Sequence, residues 1–195
     1  MGAHSSPAQG GEKTSLADLS GALQERFADG ISPNPVKDGF ALSYLLMQAS
    51  SLPAVCGFLF WDRGCAFGGI IAEEQSDRWQ LHYVFLLPAS GWIEILLSLP
   101  LSSTTVPSIV AEVHAADWHE REIEDLFGIQ FEKHPRLGDF VLHDQIWHEG
   151  LDPMRKSFSA DQPQLERQVD PDWQPTLVVS NYILLSIRFR FHLFA

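Results

Sequence analysis

Cysteine is nearly missing from this chain: Cys56 and Cys65 are the only two in 195 residues. Two thiolates cannot hold an iron–sulfur cluster of the usual four-thiolate kind. A cross-strand disulfide needs an oxidising compartment, and Met1–Lys13 has no apolar core of the sort an export signal carries. Two reduced structural thiols are therefore expected. Positive charge is scarce as well, with 13 Lys and Arg against 25 Asp and Glu and a net charge of −12. That balance argues against nucleic acid as a ligand and suits docking to basic partners. Long apolar runs are absent too. The nearest, "TLVVSNYILLSIRFRFHLFA", carries Asn181, Arg188, Arg190 and His192, which a bilayer centre penalises. No direct membrane span is expected.

The chain has enough apolar residues, 45%, for one domain with a true core. Met1–Thr14 reads as a polar tail. Leu16, Leu19, Leu23 and Phe27 recur at helical spacing behind Ser15, a good N-cap, and a weaker helix is expected over Gly39–Ala49. "AVCGFLFWD", "CAFGGIIAEE", "WQLHYVFLLPA" and "GWIEILLSLPL" are short apolar runs split by turn residues, as in an antiparallel meander of three or four strands. Leu81, Tyr83 and Phe85 alternate with Gln80, His82 and Val84, the pattern of a half-buried strand.

"PSIVAEVHAADWHEREIEDLFG" turns to helical periodicity, with Pro107 suited to a first turn and Gly128 to a stop, either as one helix or as two hinged near Ala115-Ala116. The residues beyond are irregular and proline-rich. The expected organisation is a tail (1–14), an α+β domain (15–132) with an antiparallel or mixed sheet packed by helices, an extended arm (133–176) and an apolar and basic C-terminal tail (177–195). In that tail Ile187, Phe189, Phe191 and Leu193 alternate with Arg188, Arg190 and His192, as in an edge strand.

The chemistry concentrates in "ADWHEREIEDLFGIQFEKHP". A zinc-protease helix needs histidines four apart, but Ile123 stands four after His119. His114 and His119 face different ways, and His134, His143 and His148 lie in loop sequence. Glu122 and Asp125, three apart, are a possible carboxylate pair for acid–base work. Nothing else completes such a site, whether a phosphate loop, an activated serine or a Cys/His pair. Gly68-Gly69 lies inside a strand, without the rest of a nucleotide fingerprint. Asp117–Arg121 and Arg121–Asp125 are i,i+4 pairs of a salt-bridged helix surface. A third possibility is a charged helix that anchors itself through Trp118, Ile123, Leu126 and Phe127 and presents Glu120, Glu122 and Asp125 to a partner.

These residues resemble a family. Glu120-Arg121-Glu122, Asp125-Leu126-Phe127-Gly128-Ile129, Phe131 and His134-Pro135 are similar to the signature of the 30 kDa subunit of respiratory complex I, known in bacteria as the C subunit of NADH-quinone oxidoreductase. "AADW" and Val106-Pro107-Ser108 match its approach to the motif and the start of its helix. Pro153-Met154-Arg155-Lys156 is similar to its Pro-Leu-Arg-Lys segment, and the likeness covers about Val55 to Phe158. Gly138-Asp139 departs from the family, which has a basic residue there. "HDQIWHEGLDPMRKSF" is similar to the matching subunits of membrane-bound nickel–iron hydrogenases and formate hydrogenlyase.

The resemblance implies an α+β subunit without a cofactor of its own. Iron–sulfur clusters and flavin, or a nickel–iron centre, belong to its partners. It further implies a peripheral place on the cytoplasmic face of the membrane, clamped to a quinone-module large subunit and to iron–sulfur subunits. Trp118, Glu120, Arg121, Glu122, Asp125, Phe127, Gly128, His134, Pro135, Arg155 and Lys156 are the expected interface residues. Trp118 and Phe127 are expected to anchor the helix, Arg121 to bridge Glu122 or Asp125, and Arg155 and Lys156 to make the arm's electrostatic contacts.

Overall fold

Ser15 begins the first element as its side chain suggests. Its Oγ accepts from the Asp18 N–H, and the Asp18 carboxylate accepts from the Ser15 N–H, a capping box that opens α1 (Leu16–Phe27). Leu19 and Leu23 of α1 are wholly buried. Ser15→Ala removes an exposed cap and is expected to cost about 1 kcal/mol in a urea unfolding curve. No change in midpoint would show the box to be idle.

In the computed structural model, residues 14–36, 39–138, 140–142 and 151–159 are placed. They lie in the first of two units of the chain, Met1–Leu165. The N-terminal tail, most of the arm and the 177–195 segment fall outside the described residues.

After α1 come β1 (Ile31–Pro33), β2 (Phe40–Leu46), α2 (Leu52–Gly57), β3 (Ala66–Glu74), β4 (Arg78–Leu87), β5 (Gly91–Pro100), β6 (Thr105–Pro107), α3 (Asp117–Phe127) and β7 (Gln130–Glu132). Five strands form one sheet in the order β1-β2-β5-β4-β3, and β6 pairs with β7 in a small parallel ribbon. The expected meander is β3-β4-β5, antiparallel throughout. β2 then joins β5 in parallel, so the sheet is mixed and the class is α+β.

Alternation decides the faces. Leu81, Tyr83 and Phe85 of β4, Ile93 and Ile95 of β5 and Tyr44 of β2 point into the core, where α1 and α2 cover them.

Three expected elements come out differently. Gly39–Ala49 is strand, not helix: Phe40–Leu46 is short and apolar enough to pair on both sides, with β1 and β5. "AVCGFLFWD" is helix, not strand. α2 runs on through a π-helical turn, Phe58–Asp62, with Pro53 in its first turn. Cys56 lies in α2, and both thiols are free and buried. Pro107 ends β6 rather than opening a helix. Turns and a 3-10 turn at His114–Ala116 intervene, and the true helix starts at Asp117, close to the suspected hinge.

The Gly68-Gly69 pair is a bulge in β3 against β4. A Cβ on Gly68 would stand 2.8 Å from the Trp92 ring, and one on Gly69, at φ +148°, 3.1 Å from His119 Nε2 of α3. The glycines let an indole and an imidazole close onto the strand.

Candidate functional site: a charged helix and its strap

α3 carries Trp118, Glu120, Arg121, Glu122, Asp125 and Phe127 of the expected residues and buries Glu120, with Asp117 and Ile123. Glu120 is fully buried. Its Oε1 accepts from the Ile109 N–H at 2.7 Å and its Oε2 from Ser108 Oγ at 2.6 Å, tying α3 to the segment after β6. Burial pushes its carboxyl up to about 7, against which the two hydrogen bonds pull downward. Glu120 is therefore not displayed to a partner, contrary to the sequence-based expectation, because the chain's own backbone uses its oxygens.

Asp117, also buried, accepts from Arg136 Nη2 at 2.8 Å. Among the described residues its cationic partner is this arginine, not Arg121. His134 closes the cluster. The Arg136 N–H donates to His134 Nδ1 at 3.0 Å, so a neutral ring carries its hydrogen on Nε2, which lies 3.4 Å from Asp117 Oδ1 and 3.9 Å from Glu120 Oε2. Desolvation holds the histidine below its ordinary range. Pro135 follows at the exposed turn.

The far end of α3 is closed by the arm. Gly128 takes the left-handed conformation at φ 69° and its N–H bonds the Glu124 carbonyl, ending the helix. The orphan carbonyls are then met from residues 151–158. The Met154 N–H reaches the Leu126 carbonyl at 3.0 Å, and Arg155 Nε reaches the Phe127 carbonyl at 2.9 Å and Asp152 at 2.7 Å. The Arg155 guanidinium lies 5.3 Å over the Trp79 ring, which Phe127 meets edge-on at 6.0 Å. Arg155 thus serves the chain's own helix, its cation suiting the negative end of the dipole. Lys156 contributes its backbone N–H to Glu74 at 2.8 Å.

A second strap crosses the middle of the helix. Asp125 Oδ2 accepts from the Val141 and Leu142 N–H groups at 2.6 and 2.7 Å, while the Arg121 guanidinium covers the Phe140 ring at 4.4 Å. Trp118 meets the same ring edge-on at 5.0 Å. Trp118 is 66% exposed, so the expected anchoring of α3 falls to Phe127, Ile123 and His119, and not to Trp118. Glu122 is exposed beside it.

Sequence reasoning overlooked Arg136 and Phe140, and it met Ser108 and Asp152 only inside quoted motifs, with no role given to either. It also overlooked a buried polar row on the sheet's opposite face. There Glu94 of β5 accepts from Ser43 Oγ of β2 and pairs with His82 Nδ1 of β4 at 2.7 Å. The signal was an acid within the apolar strand "GWIEILLSLP". No group of three or more metal-ligating side chains occurs among the described residues, and none of the described helices is long and apolar enough to cross a membrane.

A mixed sheet, a helix whose acids hold its own straps, and an arm laid across the helix end define an α+β module. The family model described as "Respiratory-chain NADH dehydrogenase, 30 Kd subunit" matches residues 45–164, and the chain belongs to that family. It is 32% identical over 149 residues to the NADH-quinone oxidoreductase C subunit of Brucella ovis, covering 73% of this chain and 71% of that one. The likeness to the same subunit of Methylobacterium radiotolerans is 32% over 146 residues, covering 70% and 66%. A chain in the structure of the membrane-bound sulfane sulfur reductase, an archaeal respiratory membrane complex, shares the fold with a TM-score of 0.57 at 19% identity, covering 74% of this chain and 85% of that one.

Proposed function

We propose that this chain is a structural subunit of a complex I-like NADH–quinone oxidoreductase, at the cytoplasmic face of the membrane. In this reading it docks the quinone-module large subunit and the neighbouring iron–sulfur subunits, and so fixes the distances across which electrons pass from NADH to quinone in step with ion translocation. The clusters and flavin sit in those partners. The observation that carries the reading is the use made of the charged helix. Glu120, Asp117, Asp125 and Arg155 hold the chain's own straps, leaving α3 rigid with Trp118 and Glu122 turned outward. Rigid placement of an exposed aromatic is what a docking face requires. Arg121, Phe127, Gly128, His134, Pro135 and Lys156 belong to the same frame.

The test is affinity purification of the tagged full-length chain from its host's membranes in mild detergent. Co-purification of iron–sulfur and quinone-module subunits, with flavin and NADH-dependent quinone reduction in the eluate, is the expected result. A nickel–iron large subunit in their place would move the chain to a hydrogenase-type complex. A lone chain that turns over a substrate or holds a stoichiometric metal would overturn the reading.

A further inference from the structure

The outer side of α3 pairs an open ring with an uncommitted carboxylate. Trp118 is 66% exposed, and its ring contact among the described residues is an edge-on one with Phe140. Glu122 stands one helical turn further on, on the same side of the helix. It is exposed and makes no hydrogen bond or ion pair among the described residues. The neighbouring cations are engaged elsewhere, Arg121 over Phe140 and Arg136 on Asp117. The strap that brings Phe140 to Trp118 also exposes Val141 (55%) and, on its approach, Leu137 (36%).

An indole face attracts a cation through its ring quadrupole, and a carboxylate one turn away accepts hydrogen bonds from it. A guanidinium does both at once, because it is planar enough to stack and forked enough to bind a carboxylate through two N–H groups. A phosphate or an acidic peptide is opposed by Glu122 and by the chain's net charge of −12, which steers basic surfaces toward it.

We propose that Trp118 and Glu122 form a clamp for an arginine of a partner subunit, carried on a segment whose apolar neighbours pack on Leu137 and Val141. This rests on the docking role above and names the chemistry of the occupant. The arginine stacks on the indole and donates to Glu122, and the apolar rim excludes water from the pair.

The experiment uses the complex as purified in mild detergent. Trp118→Leu keeps the apolar area and removes the ring, while Glu122→Gln keeps the size and removes the charge. Each is expected to speed subunit loss roughly 5- to 30-fold. The double variant should be no worse than about the stronger single, since both act on one guanidinium. The melting temperature of the isolated chain stays unchanged in Glu122→Gln, whose side chain is exposed, and falls at most slightly in Trp118→Leu, which loses the edge-on contact with Phe140.

A photo-crosslinking replacement, Trp118→p-benzoylphenylalanine, identifies the occupant by mass. It should label a partner segment containing an arginine, and changing that arginine to glutamate should be rescued by Glu122→Arg. Retention of partners by both variants at the wild-type rate overturns the clamp alone. So does crosslinking only to an arginine-free segment or to the chain itself. A wild-type chain that captures no partner overturns the clamp and the docking role together.

Discussion

Replacing Glu120 by alanine is expected to lower the unfolding free energy by about 2–4 kcal/mol, while Glu120→Gln is expected to be mild at pH 6 and stabilising at pH 8. Alanine strands the buried Ile109 N–H and leaves Ser108 Oγ without its acceptor; unsatisfied buried groups cost about 1–3 kcal/mol each. Glutamine keeps both contacts, its oxygen accepting from Ile109 and its amide donating to Ser108, and removes the ionisation.

The sign of the pH effect follows from where the proton is held. The Glu120 carboxyl sits at about 7 in the folded chain against an ordinary 4.5. Between those values the folded state binds the proton more tightly, so this residue's contribution to stability falls as pH rises from about 4.5 to about 7. The full penalty stands above that, at most about 3 kcal/mol. His134 opposes it. Its folded value is depressed below 6.5, so its contribution is present above that pH and is lost as pH falls and the unfolded ring protonates first. Urea unfolding of wild type and Glu120→Gln at pH 5.5, 7 and 8 separates the two effects. A variant with the wild-type slope between pH 6 and 8 would place the titration elsewhere.

The cluster also shows how far the sequence could be read. α1 and the three antiparallel strands were legible because each satisfies itself locally: Ser15 caps within three residues, and Leu81, Tyr83 and Phe85 alternate across a single strand. Gly39–Ala49 and "AVCGFLFWD" (54–62) were misread for one common reason. Both are short apolar runs without a clear period, and only their tertiary neighbours settle the outcome. Pairing with β5 makes the first a strand; Pro53 and helical burial make the second a helix. The motif in α3 was visible as a string of charges, and its importance with it. Its orientation was not, because what turns Glu120 inward is a serine and a backbone N–H some eleven residues upstream, and what occupies Asp117 is an arginine nineteen residues downstream. Sequence spacing reveals i,i+4 neighbours but not a strap that returns from another element. Trp118 and Glu120 exchanged their expected roles on that account, the aromatic facing out and the acid in.

Gly128 is the place where conformation and contact coincide, and Gly128→Ala is expected to cost about 2–3 kcal/mol. The left-handed φ of 69° accounts for about 1–2 kcal/mol of this for any residue with a Cβ. The remainder comes from Asp152, whose carboxylate oxygens lie 2.6 and 2.7 Å from where that Cβ would stand. Pushing Asp152 away disturbs Arg155, which it holds at 2.7 Å, and through Arg155 the cap on the Phe127 carbonyl.

Gly128→Asn distinguishes the two causes. Asparagine tolerates the left-handed region but brings the same Cβ, so it is expected to recover less than half of the loss. The Met154 amide, bonded to the Leu126 carbonyl at 3.0 Å, should exchange with solvent faster in both variants, while the Leu81 and Ile95 amides in the central strands keep their wild-type rank. Full recovery by asparagine would mean that the backbone angle alone selects glycine. Partial recovery with a freed Met154 amide would mean that the arm is seated through the absence of a side chain at Gly128. The same glycine that stops α3 would then hold the helix's outer face at a fixed angle to the sheet.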